Sequence, residues 1–332
     1  MNRRHVLRFV GAGALAVPAW RVLAQGGSSY PDKPLRLVVP FPAGGAADNL
    51  ARPLAEQLSA KLGQPVIVEN RPGANTMIGA ENVARAPADG YSLLLANEAG
   101  LSLAPAIAPI TKVTMPYDAG RDFTPISVLG QYGSVLSVAP SLPVKTLREF
   151  IAYAKANPGK VNYASFGVGS QPHMMMEILS RQAGIQTTHI PYKGVAPALV
   201  DLVAGHVQAM ISAPSAPLPY IKDGRLRALA YSGDARSPDL PDVPTFAEAD
   251  MPDFDARGWF GVVMKAGTSD AIQAQLRRDI WDIVQSPEYR SRAIEPSGYE
   301  VPSVDPSAFP RFLTDDMALW KARVNALQDR LT

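Results

Sequence analysis

The 332-residue sequence contains no cysteine, which excludes disulfides, thiolate metal sites, thiol nucleophiles and a lipidated N-terminal cysteine. Histidine is scarce as well. Of the four present, only His173, His189 and His206 lie outside the N-terminal leader, and none is spaced to set two imidazoles on one helical face. No metal or cofactor is therefore expected. G-x-S-x-G, G-x-x-x-x-G-K-[ST] and H-E-x-x-H are all missing, and with them the familiar hydrolase, nucleotide and zinc-protease signatures.

Long apolar runs are also absent. Phe9 to Ala19 is 11 residues long, against ~20 needed to span a bilayer. Its setting is that of an export signal: Arg3, Arg4, His5 and Arg8 precede it, and Val22-Leu23-Ala24 places cleavage between Ala24 and Gln25. The pair Arg3-Arg4 ahead of Val6-Leu7 resembles a twin-arginine signal, with general secretion left open. This leader carries four of the 32 Lys and Arg and none of the 30 Asp and Glu, so the remainder holds 28 against 30, a net charge of −2. The formal +2 of the whole chain is thus no sign of a nucleic-acid or membrane partner. A soluble, untethered periplasmic product is expected.

With 47% hydrophobic and 19% charged residues, the chain has ordinary globular composition and length for two domains. Short β-rich runs alternate with amphipathic helical runs, the grammar of an α/β fold with mainly parallel sheets. Leu35 to Phe41 reads as a strand. Asp48 to Leu62 reads as a helix with Leu50, Leu54, Leu58 and Leu62 on one face and Gly63 as its stop. From about Ile126 the grammar restarts, and Thr146 to Glu149 has capping-box spacing. The proline-rich stretch Pro238 to Asp253 suits a return crossing. Trp259 to Met264 and two final helices are expected to pack back on the first lobe. The expected division is residues 1–24 as leader, 25–125 with 254–332 as lobe 1, and 126–253 as lobe 2.

Two glycine-rich turns follow strands and open helices. In the first, Phe41 to Asp48, glycines let a ligand approach backbone N–H groups at the positive end of a helix, an anion site that needs no lysine; the alternative is a tight turn in which Asp48 caps or pairs with Arg52. The second, Phe166 to His173, is its parallel, with Pro172 near the first helical turn. Ser170 as a plain N-cap and His173 as a partly buried helical histidine are the alternatives there. Gly167-Val168-Gly169 lacks the third glycine of a dinucleotide loop. Pro191 to Gly194 opens the next helix, as a cleft wall or a solvated turn, and Trp259 either walls the cleft or fills the core.

These residues resemble the tripartite tricarboxylate transporter substrate-binding family, the Bug-type periplasmic receptors. The matching stretches include Tyr30 to Pro34, Phe41 to Asp48, Glu69 to Ala74, Pro87 to Tyr91, Tyr117-Asp118 with Asp122-Phe123, Asn162 to Ser165, Pro191 to Gly194, Leu240 to Thr245 and Gly258 to Gly261. The resemblance implies a two-lobed Venus-flytrap fold of periplasmic-binding-protein type, hinged between lobes. It implies a small organic carboxylate held by the two glycine loops, partly through water. The implied contacts are Phe41, Pro42, Ala43, Gly44, Gly45 and Asp48; Asn75 and Thr76; Asn97 and Glu98; Ser165, Gly167, Gly169, Ser170 and His173; Tyr192, Lys193 and Gly194; Ser212; and Trp259.

Two segments depart from the family pattern. Asn97 to Pro105 replaces a threonine-histidine pair and an asparagine, and its Glu98 would set a negative charge near the cleft, disfavouring a second carboxylate. Ile211-Ser212-Ala213 has lost a polar group, and the segment Ala106 to Met115 is longer. A binding protein needs a cleft, a hinge and donors but no nucleophile–base pair. The expected partner is a membrane transporter of the tripartite type or, in the alternative, a sensor kinase. The competing reading is a periplasmic hydrolase built on Ser170 and His173 with Asp48.

Overall fold

The computed structural model describes residues 30–331, so the segment expected to be an export leader lies outside the described residues. The chain runs β1 (Leu35–Val39), α1 (Ala46–Leu62), β2 (Val66–Asn70), α2 (Met77–Ala84), β3 (Ser92–Asn97) and, after a π-turn at Ala99–Leu103, α3 (Ala104–Thr111) and β4 (Phe123–Tyr132). It continues with β5 (Val135–Val138), α4 (Leu147–Ala156), β6 (Val161–Ser165), α5 (Gln171–Ala183), β7 (Thr187–Pro191), α6 (Val195–Ala204), β8 (Ala209–Ser212), α7 (Leu218–Lys222) and β9 (Arg227–Tyr231). β10 (Gly258–Lys265), α8 (Asp270–Gln285) and a long C-terminal helix (Phe309–Ala326) follow.

Two five-stranded sheets result, ordered β2-β1-β3-β10-β4 and β7-β6-β8-β5-β9. β1 is parallel to β2 and β3, and β10 runs antiparallel between β3 and β4. In the second sheet β6 is parallel to β7 and β8, and β5 runs antiparallel between β8 and β9. Each sheet thus has three parallel strands from its own βαβ units, one reversed strand that enters from the other lobe, and beyond it a fifth strand parallel to the first three. The parallel strands β1 and β3 read as continuous apolar runs because helices cover both faces: α1 and α8 on one side, α2 and the start of the C-terminal helix on the other.

The crossings fall later than the sequence suggested. The boundary expected after residue 125 lies inside β4, which pairs with β10 from Phe123 to Tyr132. The chain leaves the first sheet at Gly133 and Ser134. Gly133 N donates to Tyr231 Oη at 3.0 Å and Ser134 N to Ser232 Oγ at 2.8 Å, tying the outward crossing to the return one. A Cβ on Gly133 would meet Tyr231 Cζ at 2.4 Å, so the approach admits only glycine. The proline-rich stretch is packed, contrary to expectation: Phe246 enters the second-lobe core, where it meets Phe254 just beyond the stretch, and Phe246 N and Pro244 O bond the Tyr231 backbone.

The C-terminal helix does not pack on the first lobe alone. Phe309 and Leu313 join the first-lobe core around Trp259, whereas Trp320, Val324 and Leu327 join the second-lobe core with Leu103, Ile107 and Phe254. Eighteen residues make a helix about 27 Å long, long enough to reach both. Arg323 fixes it to the return crossing by donating to Asp255 O at 2.9 Å. Trp320 is 1% exposed, so Trp320→Ala is expected to cost about 3–5 kcal/mol by emptying a packed site. Urea denaturation measures this; a loss under ~1 kcal/mol would mean that the helix end is not part of the core.

Candidate ligand-binding site

The first glycine turn is a scaffold around one carboxylate. Asp48 is 3% exposed; its Oδ2 accepts from Gly44 N at 2.9 Å and Arg52 Nε at 2.7 Å, and its Oδ1 from Asn70 Nδ2 at 2.9 Å. Asn70 Nδ2 also reaches Phe41 O at 3.1 Å. Burial pushes the Asp48 carboxyl up, but the hydrogen bonds from Arg52, Asn70 and Gly44 outweigh it and hold it below the ordinary aspartate range. Asp48 therefore shapes the loop from beneath, as the pairing alternative anticipated. Phe41 meets the Phe260 ring edge to face, and Pro42, Ala43, Gly44 and Gly45 stand exposed. Gly45 is the N-cap of α1 in extended backbone with no side-chain cap. The amides of Ala46 and Ala47 have no intrachain acceptor, the state of any helix start that nothing caps.

The second turn is built on an imidazole pair. Ser165, at the end of β6, is 0% exposed; its Oγ lies 2.6 Å from His189 Nε2 and accepts from Gly167 N at 3.1 Å. His189 stacks on His173 with centroids 4.0 Å apart and on Tyr163 at 5.1 Å. Gly169 N donates to His173 Nδ1 at 3.1 Å, and Ser170 Oγ donates to Gly167 O at 2.7 Å. Gly167 and Gly169 hold φ of +118° and +76°, which only glycine adopts readily. The backbone N–H groups of Gln171 and His173, at the start of α5, have no intrachain acceptor. No hydrogen bond joins Ser170 to His173, the pair of the competing hydrolase reading, and the serine that does touch an imidazole, Ser165, is buried.

His189 was not among the expected site residues. It sits on β7, a half-buried strand of sequence Thr-Thr-His-Ile-Pro whose polar residues and proline hide it from a hydrophobic-pattern search. Burial brings the imidazole of His173 down to about 4, and burial together with His173 does the same for His189. Both rings are neutral at pH 7.

Three consecutive non-glycine residues, Ala74, Asn75 and Thr76, hold φ of +47°, +50° and +74°. Such left-handed backbone costs about 1–3 kcal/mol each and gathers at functional sites. The run brings Asn75 Nδ2 to 3.4 Å from Gly169 O, a direct link between the lobes, and leaves the buried Thr76 Oγ1 without a partner.

Other expected contacts serve different ends. Asn97 Oδ1 accepts from Gly100 N at 3.2 Å and so caps the π-turn. Tyr192 Oη donates to Asp201 Oδ2 at 2.7 Å and Gly194 is the N-cap of α6, while Lys193 is exposed. Ser212 is buried, its Oγ on Ala213 O at 3.3 Å. Trp259 is 2% exposed; its ring meets Phe309 and Phe312 and its Nε1 donates to Asp316 Oδ2 at 3.1 Å, so it fills the core and does not wall the cleft.

Glu98 does not face the cleft either. It is 1% exposed, and its carboxylate accepts from Tyr132 Oη at 3.0 Å and Trp259 N at 3.2 Å. One side chain thus holds the end of the strand that leaves the first lobe and the beginning of the strand that returns. Burial raises its carboxyl from 4.5 to about 7 despite those hydrogen bonds. Its protonated form is favoured by the fold, so its stabilising effect is complete below pH 4.5 and is lost as pH rises through about 7, a span worth on the order of 3 kcal/mol. The histidines run the other way, weakening the fold as pH falls from 6.5 towards 4.

Glu98→Gln keeps an acceptor for Trp259 N and should remove only the first effect: its unfolding free energy relative to wild type should rise by a few kcal/mol between pH 4.5 and 8. A pH-independent difference between the two would contradict the raised carboxyl. Long-range nitrogen–proton NMR should show His173 neutral with its proton on Nε2 from pH 5 to 8. Titration near 6.5 would mean that the ring is solvated and the loop open.

The described sequence matches the model of the tripartite tricarboxylate transporter family receptor over residues 50–328. BugT of Bordetella pertussis is 38% identical over 317 residues, covering 94% of this chain and 93% of that one. The structure of R. palustris Rpa4515 with adipate is similar with a TM-score of 0.80 at 33% identity, covering 89% of this chain and 97% of that one. MatC from Rhodopseudomonas palustris with bound malate is similar with a TM-score of 0.78 at 30% identity, covering 89% and 100%. The two-lobed fold and the solute-binding class expected from the sequence are those of these receptors, and the chain belongs to the tripartite tricarboxylate transporter receptor family.

Proposed function

We propose that the protein is a non-catalytic periplasmic receptor that holds the carboxylate of a small organic acid between the start of α1 and the start of α5. It then presents the closed, loaded form to the membrane subunits of a tripartite transporter. The observation that carries this reading is the pair of glycine turns, one per lobe, each ending in helix amides with no intrachain acceptor. Helix starts favour anions through these amides and the helix dipole. The adipate and malate held by the two relatives are of the same chemical class. Hydrogen bonds to a charged group contribute about 1.5–3 kcal/mol each, and micromolar affinity needs about 8 kcal/mol, so the four amides with closure are sufficient. The lobes would close about Gly133-Ser134 and the segment from Ser232 to Arg257.

A thermal-shift screen of residues 25–332 against mono-, di- and aromatic carboxylates, amino acids and uncharged controls tests the class of ligand. Acid at 100 times its Kd adds about 2.7 kcal/mol and should raise the midpoint by several degrees; no response to any acid would remove the carboxylate reading. Ala46→Pro tests the donor. Proline suits the first helical position and Gly45 before it is extended, so the fold should survive while one amide donor is lost. Affinity should fall roughly tenfold to a hundredfold with little change in the ligand-free midpoint. Unchanged affinity would place the anion elsewhere.

A further inference from the structure

A cavity of about 260 Å³ opens beside the second glycine turn, where Asn75 of the first lobe meets Gly169 of the second. One wall is a single face of α3, formed by Ala104, Ile107, Ala108 and Thr111, the i, i+3, i+4, i+7 positions of a helix. Met77, Val113, Met115 and Val168 supply the rest of its apolar surface. No charged residue lines it. Its polar side chains are already engaged: Thr111 Oγ1 donates to Ile107 O at 3.2 Å, and Asn75 Nδ2 donates to Gly169 O. The Gly169 amide is taken by His173 Nδ1. No side chain that lines the space carries a charge. Lys112, between two lining residues in sequence, does not line the cavity.

We propose that this cavity is the subsite for the hydrocarbon body of the ligand, and that the protein takes monocarboxylates with a compact aromatic or branched aliphatic group. The inference rests on the carboxylate reading above. Gly169 borders both the cavity and the loop that leads into α5, so a ligand whose acid group lies at the helix start extends its body into the cavity. The size fits: a cavity of about 150 Å³ is enough for a benzene ring. Val113 and Val168, which line it, are 44% and 65% exposed, apolar surface that a bound hydrocarbon would cover. A second carboxylate reaching the same place would give up part of its water and meet no cation.

Isothermal titration calorimetry of residues 25–332 with acetate, butyrate, hexanoate, benzoate, succinate and adipate tests the assignment, using wild type, Ala108→Phe and Val113→Arg. In wild type, affinity should rise roughly fourfold per added buried methylene, benzoate should bind well, and the dicarboxylates should bind at least tenfold more weakly than the monocarboxylates of matching length. Ala108→Phe fills the cavity and should abolish the gain from hexanoate and benzoate while leaving acetate unchanged. Val113→Arg, at an exposed rim position that does not threaten folding, should raise adipate affinity and lower that for benzoate. Affinity independent of chain length, or a wild-type preference for dicarboxylates, would overturn the subsite and leave the carboxylate receptor standing. Failure of every acid to bind would overturn both.

Discussion

A helix cannot satisfy its own first amides, and at α1 and α5 the chain leaves them without side-chain caps. The surrounding structure can be derived from that constraint. Gly44, Gly45, Gly167 and Gly169 keep side chains off the approach. Asp48, bonded by Arg52, Asn70 and Gly44, fixes the first turn from the protein side. Neutral His173 and His189, stacked and bonded to the Gly169 amide and Ser165 Oγ, fix the second. In each case the charged or polar side chains hold the turn from the protein side, behind its backbone. A site of the proposed kind would orient an anion with donors that need not reorganise.

The crossings between the lobes are tied to one another. Glu98 binds the last residue of β4 and the second residue of β10, the two places where chain enters or leaves the first sheet. Asp316, on the C-terminal helix, accepts from the ring of the same Trp259 whose backbone Glu98 holds. That helix then continues into the second-lobe core through Trp320, Val324 and Leu327. Any rotation between lobes must be taken up around Gly133 and along the return segment, while the helix end and α3 slide or hold. The strained run Ala74 to Thr76 sits where the lobes touch, through Asn75 and Gly169.

The α/β grammar, both glycine turns, the Asp48–Arg52 pair and the two-lobed outline are legible in the sequence because each rests on local spacing. What escaped it depends on partners distant in sequence. Glu98 reads as a cleft charge, since nothing nearby tells that Tyr132 and Trp259 will enclose it. The apolar stripe from Phe309 to Leu327 is continuous, and no periodicity reveals that its halves serve different lobes. β7 is a polar edge strand, so His189 went unread. Non-glycine residues with positive φ carry no sequence signal, and Asn75 and Thr76 were reached by resemblance alone. The longer segment from Ala106 to Met115 was visible as a departure; that it folds into a helix walling an apolar cavity was not.

The central claim is that backbone amides of both lobes hold the same anion. It is tested most directly by amide NMR of the protein titrated with the tightest-binding acid from the screen. The account predicts that the Ala46, Ala47, Gln171 and His173 amide protons move downfield together and saturate at one ligand equivalent. Saturating shifts confined to one lobe, or centred on exposed basic side chains such as Lys193, would contradict it.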